Sequence, residues 1–303
     1  MSALAAFIMR GRPQAVLAIA VLTVISWGLS LASLLAAAAI ALPTLRRGGK
    51  EGLFLSAMTL PAVALAGQIL IGDAFQAAAY TAAMWGPILI VAVILRETNS
   101  LALAALGAAL LGLLMVAGVF AFVDDPSALW LDHLQQVVSP MLEHPETGMD
   151  ADLVRQTMAV FSRYVTGAIA AGLVLTLLAS LLIARWWQAG LYNPGGFRIE
   201  FLQLRLPAWS AYVFLGLLTM AAMASGGVAV FAANMALPVL MIFLIAGFSV
   251  MHAVFTRSPS GRFWLTGIYI GLMFISPLVL LIALVGLSDS WINWRQRFMP
   301  KTP

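Results

Sequence analysis

The sequence predicts an all-α protein, a polytopic transmembrane helical bundle of eight or nine spans, and three observations carry that prediction. Of its 303 residues, 62% are hydrophobic and 9% are charged, against roughly 25% charged in soluble domains. Mean hydropathy is +1.00. Several apolar runs reach the ~20 residues a helix needs to cross ~30 Å of hydrocarbon, and no sustained polar/apolar alternation points to a membrane barrel.

The runs fall at about 14–27, 29–45, 52–71, 75–95, 101–122, 164–184, 208–224, 228–251 and 263–287. Only Trp27-Gly28 interrupts 14–45, so that stretch is either two spans or one long tilted helix. The chain 1–303 reads as a single transmembrane domain. Arg10 and Arg12 precede the first run as in a signal anchor, and the later runs make the membrane assignment independently.

Basic residues set the orientation, because cytoplasmic loops carry the excess of Lys and Arg. With the 46–50 loop inside and nine spans, the inner side holds Arg10, Arg12, Arg46, Arg47, Lys50, Arg96, Arg185, Arg198, Arg205, Arg257 and Arg262, eleven of the sixteen. The outer side then holds Arg155, Arg163, Arg295, Arg297 and Lys301, although the end "WINWRQRFMPK" by itself reads better as cytoplasmic, which would require a miscounted span. The same excess explains a pI near 9.9 without nucleic acid as a partner; the partner it implies is the lipid bilayer.

One sizeable segment, 123–163, lies outside the runs and reads as an acidic extracytoplasmic loop. Asp124, Asp125, Asp132, Glu143, Glu146, Asp150 and Asp152 stand against Arg155 and Arg163. After the start Asp124-Asp125-Pro126-Ser127, the residues Leu131, Leu134, Val138 and Met141 recur at three- and four-residue spacing, which predicts an amphipathic helix on the outer membrane face.

Catalysis needs titratable groups that converge, and the chain is not read as an enzyme. It has no cysteine, which excludes disulfides, thiolate metal sites and a cysteine nucleophile. Its histidines are His133, His144 and His252; no H-E-x-x-H, phosphate loop or G-x-S-x-G elbow occurs. His133 and His144 with Asp132 and Glu143 fit a solvated acidic loop better than a metal site. Neither a metal nor a cofactor is implied.

Within the apolar runs, "FAANMALPVL" places Asn234 four residues before Pro238. Proline lacks the N–H that would bond to the carbonyl at i−4, so a local polar cluster results near mid-membrane. Pro61, Pro87 and Pro277 do the same for Ala57, Ala83 and Met273. Asn234, Pro238, Gln68, Tyr80, Trp85 and Ser276 are therefore the candidates for a ligand pocket between helices; the alternative is that they are interhelical glue. Gly28, Ala32 and Ala36, and Ala104, Ala108 and Gly112, form smooth faces for helix packing.

The stretch 185–207 is a candidate cytoplasmic interfacial or partner segment. Arg185, Trp186 and Trp187 end a span in the manner of interfacial anchors. Beyond Tyr192, the residues Asn193, Pro194, Gly195 and Gly196 predict a turn. The following residues fit neither the helical nor the strand period, so a short irregular or partly helical segment is expected before Pro207. Phe197, Ile199, Phe201, Leu202, Leu204 and Leu206 would anchor it, leaving Arg198 and Arg205 to lipid phosphates or a partner.

Three segments, "ARWWQAGLYNPGGFRIEFLQLRLP", "AGFSVMHAVF" and "LVGLSDSWINWRQRF", resemble the signature segments of the YybS-like family of bacterial membrane proteins, whose defining domain is of unknown function. That family is similar to the substrate-binding S components of energy-coupling-factor transporters. The resemblance implies a multi-pass protein of the bacterial cytoplasmic (inner) membrane, a helical bundle with a small-molecule ligand, and docking to an energy-coupling transmembrane protein and ATPases. The competing expectation is a non-transporting membrane scaffold that recruits other membrane or cytoplasmic proteins.

Overall fold

A computed structural model describes residues 2–142, 150–256 and 259–297. The side chain of Met141, and Glu143, His144, Glu146, Arg257 and Lys301, lie outside that description. The described chain is helical throughout: α1 (Ser2–Arg10), α2 (Arg12–Ser26), α3 (Leu31–Arg47), α4 (Gly49–Leu70), α5 (Ala74–Thr98), α6 (Leu101–Phe122), α7 (Pro126–Leu142), α8 (Ala151–Ser162), α9 (Val165–Tyr192), α10 (Gly196–Leu202), α11 (Ala208–Met223), α12 (Gly226–Phe255), α13 (Gly261–Phe274), α14 (Pro277–Ile292) and α15 (Trp294–Arg297).

Five of these, α4, α5, α6, α9 and α12, are long and apolar enough to cross a membrane. They make this an all-helical, multi-pass membrane-embedded protein, but they do not carry a count of eight or nine spans. The difference lies in helix length. Helix α2 has 15 residues and α11 has 16, about 22–24 Å at 1.5 Å per residue, against ~30 Å of hydrocarbon. Helix α3 has 17 residues and already includes Arg46 and Arg47. The run 263–287 breaks at Ile275-Ser276 into α13 and α14, of 14 and 16 residues. Residues 14–45, likewise, form two packed helices parted at 27–30 rather than one.

Local chemistry starts several helices. Asp73 caps α5 through Gln76 N at 2.9 Å, Ser100 caps α6 through Leu103 N at 3.2 Å, and Asp150 caps α8 through Leu153 N at 3.2 Å. Pro61, Pro87 and Pro238 lie inside unbroken helices, as membrane helices permit, whereas Pro277 opens α14 at its first position.

One hydrophobic cluster runs from α1 to α14. Ala104, Ala108 and Gly112 are all buried in it, so that small-residue face serves internal packing. A Cβ on Gly112 would stand 2.7 Å from both Pro238 Cβ and Val174 Cγ2, and one on Gly167 would stand 2.7 Å from Asn234 O. Glycine at these two points lets α6, α9 and α12 close on one another. At the other end of α12, Gly247 and Gly286 let α14 cross against the backbone carbonyls of Phe243 and Ile282. Outward faces carry Leu65, Ile69, Leu114, Phe263 and Phe274, the apolar surface a bilayer covers.

The bundle has a basic and an acidic end. At the basic end Arg12 pairs with Glu51 at 2.7 Å, Arg47 reaches Met9 O at 3.1 Å, Arg96 reaches Leu45 O at 2.7 Å, and Arg46 covers the Tyr192 ring. Arg295 joins this end by donating to Leu202 O at 2.7 Å and Leu204 O at 2.6 Å. That overturns the placement of Arg295 and Arg297 with the acidic segment, because the break at 275–276 adds a reversal that hydropathy does not show.

Candidate functional site

The acidic segment folds as a helical hairpin, α7 against α8, over the opposite end of the bundle. Asp125 Oδ1 starts α7 by accepting from Ser127 N and Ala128 N. Leu131, Leu134 and Val138 form its half-buried face, while Asp132, His133 and Gln136 are exposed. Trp130 Nε1 donates to Thr166 Oγ1 at 2.8 Å, which ties the hairpin to the first turn of α9.

Beneath the hairpin lies a cavity of about 990 Å³. Its apolar wall comes from Phe120 of α6, Leu218, Ala221 and Ala222 of α11, and Ala229, Val230 and Ala233 of α12. Its rim comes from Asp124, Asp125, Ser127, Arg163 and Tyr164. The space exists because the turn between α11 and α12, "AAMASGGVAVFAA", is built of small residues that cannot fill it. This run carried a signal that the sequence reading did not use.

Asn234 stands behind this cavity, not in it. The residue is fully buried; its Oδ1 accepts from Gly167 N at 2.6 Å, and its Nδ2 donates to Arg163 O and Val230 O, both at 2.7 Å. Its amide is spent on the backbone at the start of α9, which fixes the Arg163-Tyr164 part of the rim. It also lies toward the acidic end of α12, not at mid-membrane.

The other pocket candidates do not gather around it. Pro238 packs on Gly112. Gln68 closes the α4–α5 turn through Gly72 O at 3.4 Å and Ala74 N at 3.3 Å. Trp85 is buried and Tyr80 is exposed; together they border a space of about 10 Å³, room for one water at most. Ser276 is exposed in the α13–α14 turn.

At the basic end, α9 runs on to Tyr192, Gly195 turns the chain at φ 89°, and α10 follows. Arg185 is not turned toward lipid. It is paired bidentately with Glu200 and donates to Gln188 at 2.8 Å. Trp187 is buried in the core, while Trp186 is exposed as an interfacial indole would be. Phe197 stacks on Phe201, Phe201 meets His252 edge-on, and His252 Nε2 lies 2.7 Å from the Tyr269 hydroxyl. Leu204 and Leu206 are buried, whereas Ile199 is 60% exposed. Arg205, expected to be available, donates to Asp289 O and Ser290 O at 3.1 Å. Arg198 is exposed, as are Asn193 and Pro194.

A second cleft of about 320 Å³ lies here, lined by Arg96, Glu97, Asn99, Arg185, Gln188 and Glu200. Its charges are already matched: Arg185 by Glu200, and Arg96 by Leu45 O and by Glu97 at 3.5 Å. It is a clasp between α3, α5, α9 and α10, so the cavity at the acidic end is the stronger candidate. Compared with family models, curated proteins and solved structures, the chain finds no match, and the family expectation rests on the three quoted segments.

Proposed function

We propose that this protein binds a small molecule in the cavity beneath the α7–α8 hairpin and serves its transport, in the manner of an S component. The observation that carries this reading is the cavity itself. A volume of about 990 Å³ suits a drug-sized ligand, and its walls combine apolar helix faces with a few polar groups at one edge. By the excess of basic residues at the other end, the acidic end faces outward and the basic end faces the cytoplasm, in a bacterial cytoplasmic membrane. The ligand then enters from outside, and an energy-coupling membrane protein with its ATPases meets the exposed Arg198-Ile199 side of α10.

That same exposed side of α10 favours a second reading, a scaffold that recruits proteins without binding any small molecule. Purification in mild detergent, with identification of the small molecules and proteins that accompany the chain, separates the two. A small molecule in near-stoichiometric amount is the expected result. Accompanying proteins with no small molecule would establish the scaffold instead.

A further inference from the structure

The lining of the acidic-end cavity also narrows the ligand. We infer that it takes an apolar molecule bearing a positive charge, with its body among α6, α11 and α12 and its cationic group at Asp124. The inference rests on the ligand-binding reading above.

The cavity is divided by element. Phe120, Leu218, Val230 and Ala233 stand on helices of the bundle, whereas the ionisable groups stand on the two links, 124–125 and 163–164, that lead into and out of the hairpin. A ligand that fills the space therefore has one apolar part and one part at the charged rim. The rim holds two carboxylates against one guanidinium. Asp125 spends one oxygen on the N-terminus of α7; Asp124 is exposed at the same edge.

Asp132, Asp150 and Asp152 lie further along the hairpin, outside the cavity lining, and Asp152 is matched by Arg155 at 3.0 Å. An anion would meet Arg163 beside two carboxylates, and a neutral molecule would gain hydrogen bonds from the rim but no charge pairing. A cation gains at Asp124, and the apolar wall supplies the remaining affinity. The position of Arg163 is set by its own carbonyl, held by Asn234 at 2.7 Å, so changing its side chain leaves that bond intact.

Tetraphenylphosphonium and tetraphenylborate share one shape and differ in sign of charge, so they test the inference directly. The full chain in phosphatidylcholine nanodiscs would be dialysed to equilibrium with each, against empty discs. Saturable binding of the cation, tighter than that of the anion, is expected. Asp124→Asn should weaken cation binding and Arg163→Gln should strengthen it, each by about threefold to fivefold, the scale of one partly exposed charge contact. Ala233→Phe and Ala229→Leu, which fill the cavity from the same helix, should abolish it. If the anion binds as well or better and the filling variants abolish that binding, the charge class is wrong and the ligand-binding reading stands. If neither filling variant changes binding of either ion, both fail.

Discussion

Arg295 and Asp289 form a buried ion pair that ties the last helices to the basic end of the bundle. The carboxylate is 1% exposed, and its Oδ1 also accepts from Trp294 N at 3.0 Å. The guanidinium donates to Leu202 O, Leu204 O and, at 2.9 Å, to Ser249 Oγ. Four pieces of chain, 202–204, α12, the end of α14 and α15, thus meet on one side chain.

Arg295→Met should be among the most damaging single changes in the protein. It leaves Asp289 buried without its cation and frees two carbonyls, a loss of about 3–5 kcal/mol for a pair broken on one side. Thermal unfolding in detergent would show it as a large fall in Tm. A variant as stable as the parent would mean that the contact contributes nothing.

Arg205 and Arg198 should behave differently although they lie seven residues apart on one segment. Arg205→Glu removes two hydrogen bonds to the end of α14 and sets a negative charge beside its carbonyls, an expected cost of about 1–3 kcal/mol. Arg198→Glu changes an exposed side chain and should stay within about 0.5 kcal/mol. Equal stability of the two variants by the same thermal scan would contradict the assignment of Arg205 to the fold.

Asn234→Leu should destabilise the contact between α9 and α12 by about 1–3 kcal/mol, since the buried N–H of Gly167 and the carbonyl of Arg163 lose their partner. Hydrogen exchange at residues 163–167 should rise with it. Unchanged protection there would show that the amide is dispensable to the rim.

Much of this architecture is legible in the sequence, and the limits have physical causes. Trp27-Gly28 marks a real helix break, Pro194-Gly195-Gly196 a real turn, and the stripe Leu131, Leu134, Val138 a real half-buried face. The break at 275–276 is hidden because residues on both sides are equally apolar; the chain leaves the helix at Ile275 (φ −121°, ψ 84°), and the trace in the sequence is Pro277, which has no N–H to continue α13 and opens α14 instead. Arg295 reads as a loop charge because, besides nearby Asp289, its partners are Leu202 O, Leu204 O and Ser249, far away in sequence. The cavity escapes for the same reason. Its walls come from α6, α11, α12 and the hairpin, and the small residues of 221–233 mark a space only once those elements are assembled.

Orientation can be tested against a clean background, because the chain contains no cysteine. Ser127→Cys at the start of α7 and Ser260→Cys before α13 place one thiol at each end. An impermeant thiol reagent added to intact cells should label position 127 and spare position 260. The reverse pattern would put the hairpin and its cavity in the cytoplasm.

The central claim, that the cavity beneath the hairpin holds a small molecule, is tested most directly by weighing the intact protein released from membranes under native conditions. The parent chain and Arg198→Glu should carry the same small-molecule adduct, and Ala233→Phe, which fills the cavity, should carry none. An identical adduct on all three, or an adduct lost from Arg198→Glu alone, would place the ligand elsewhere and contradict the account.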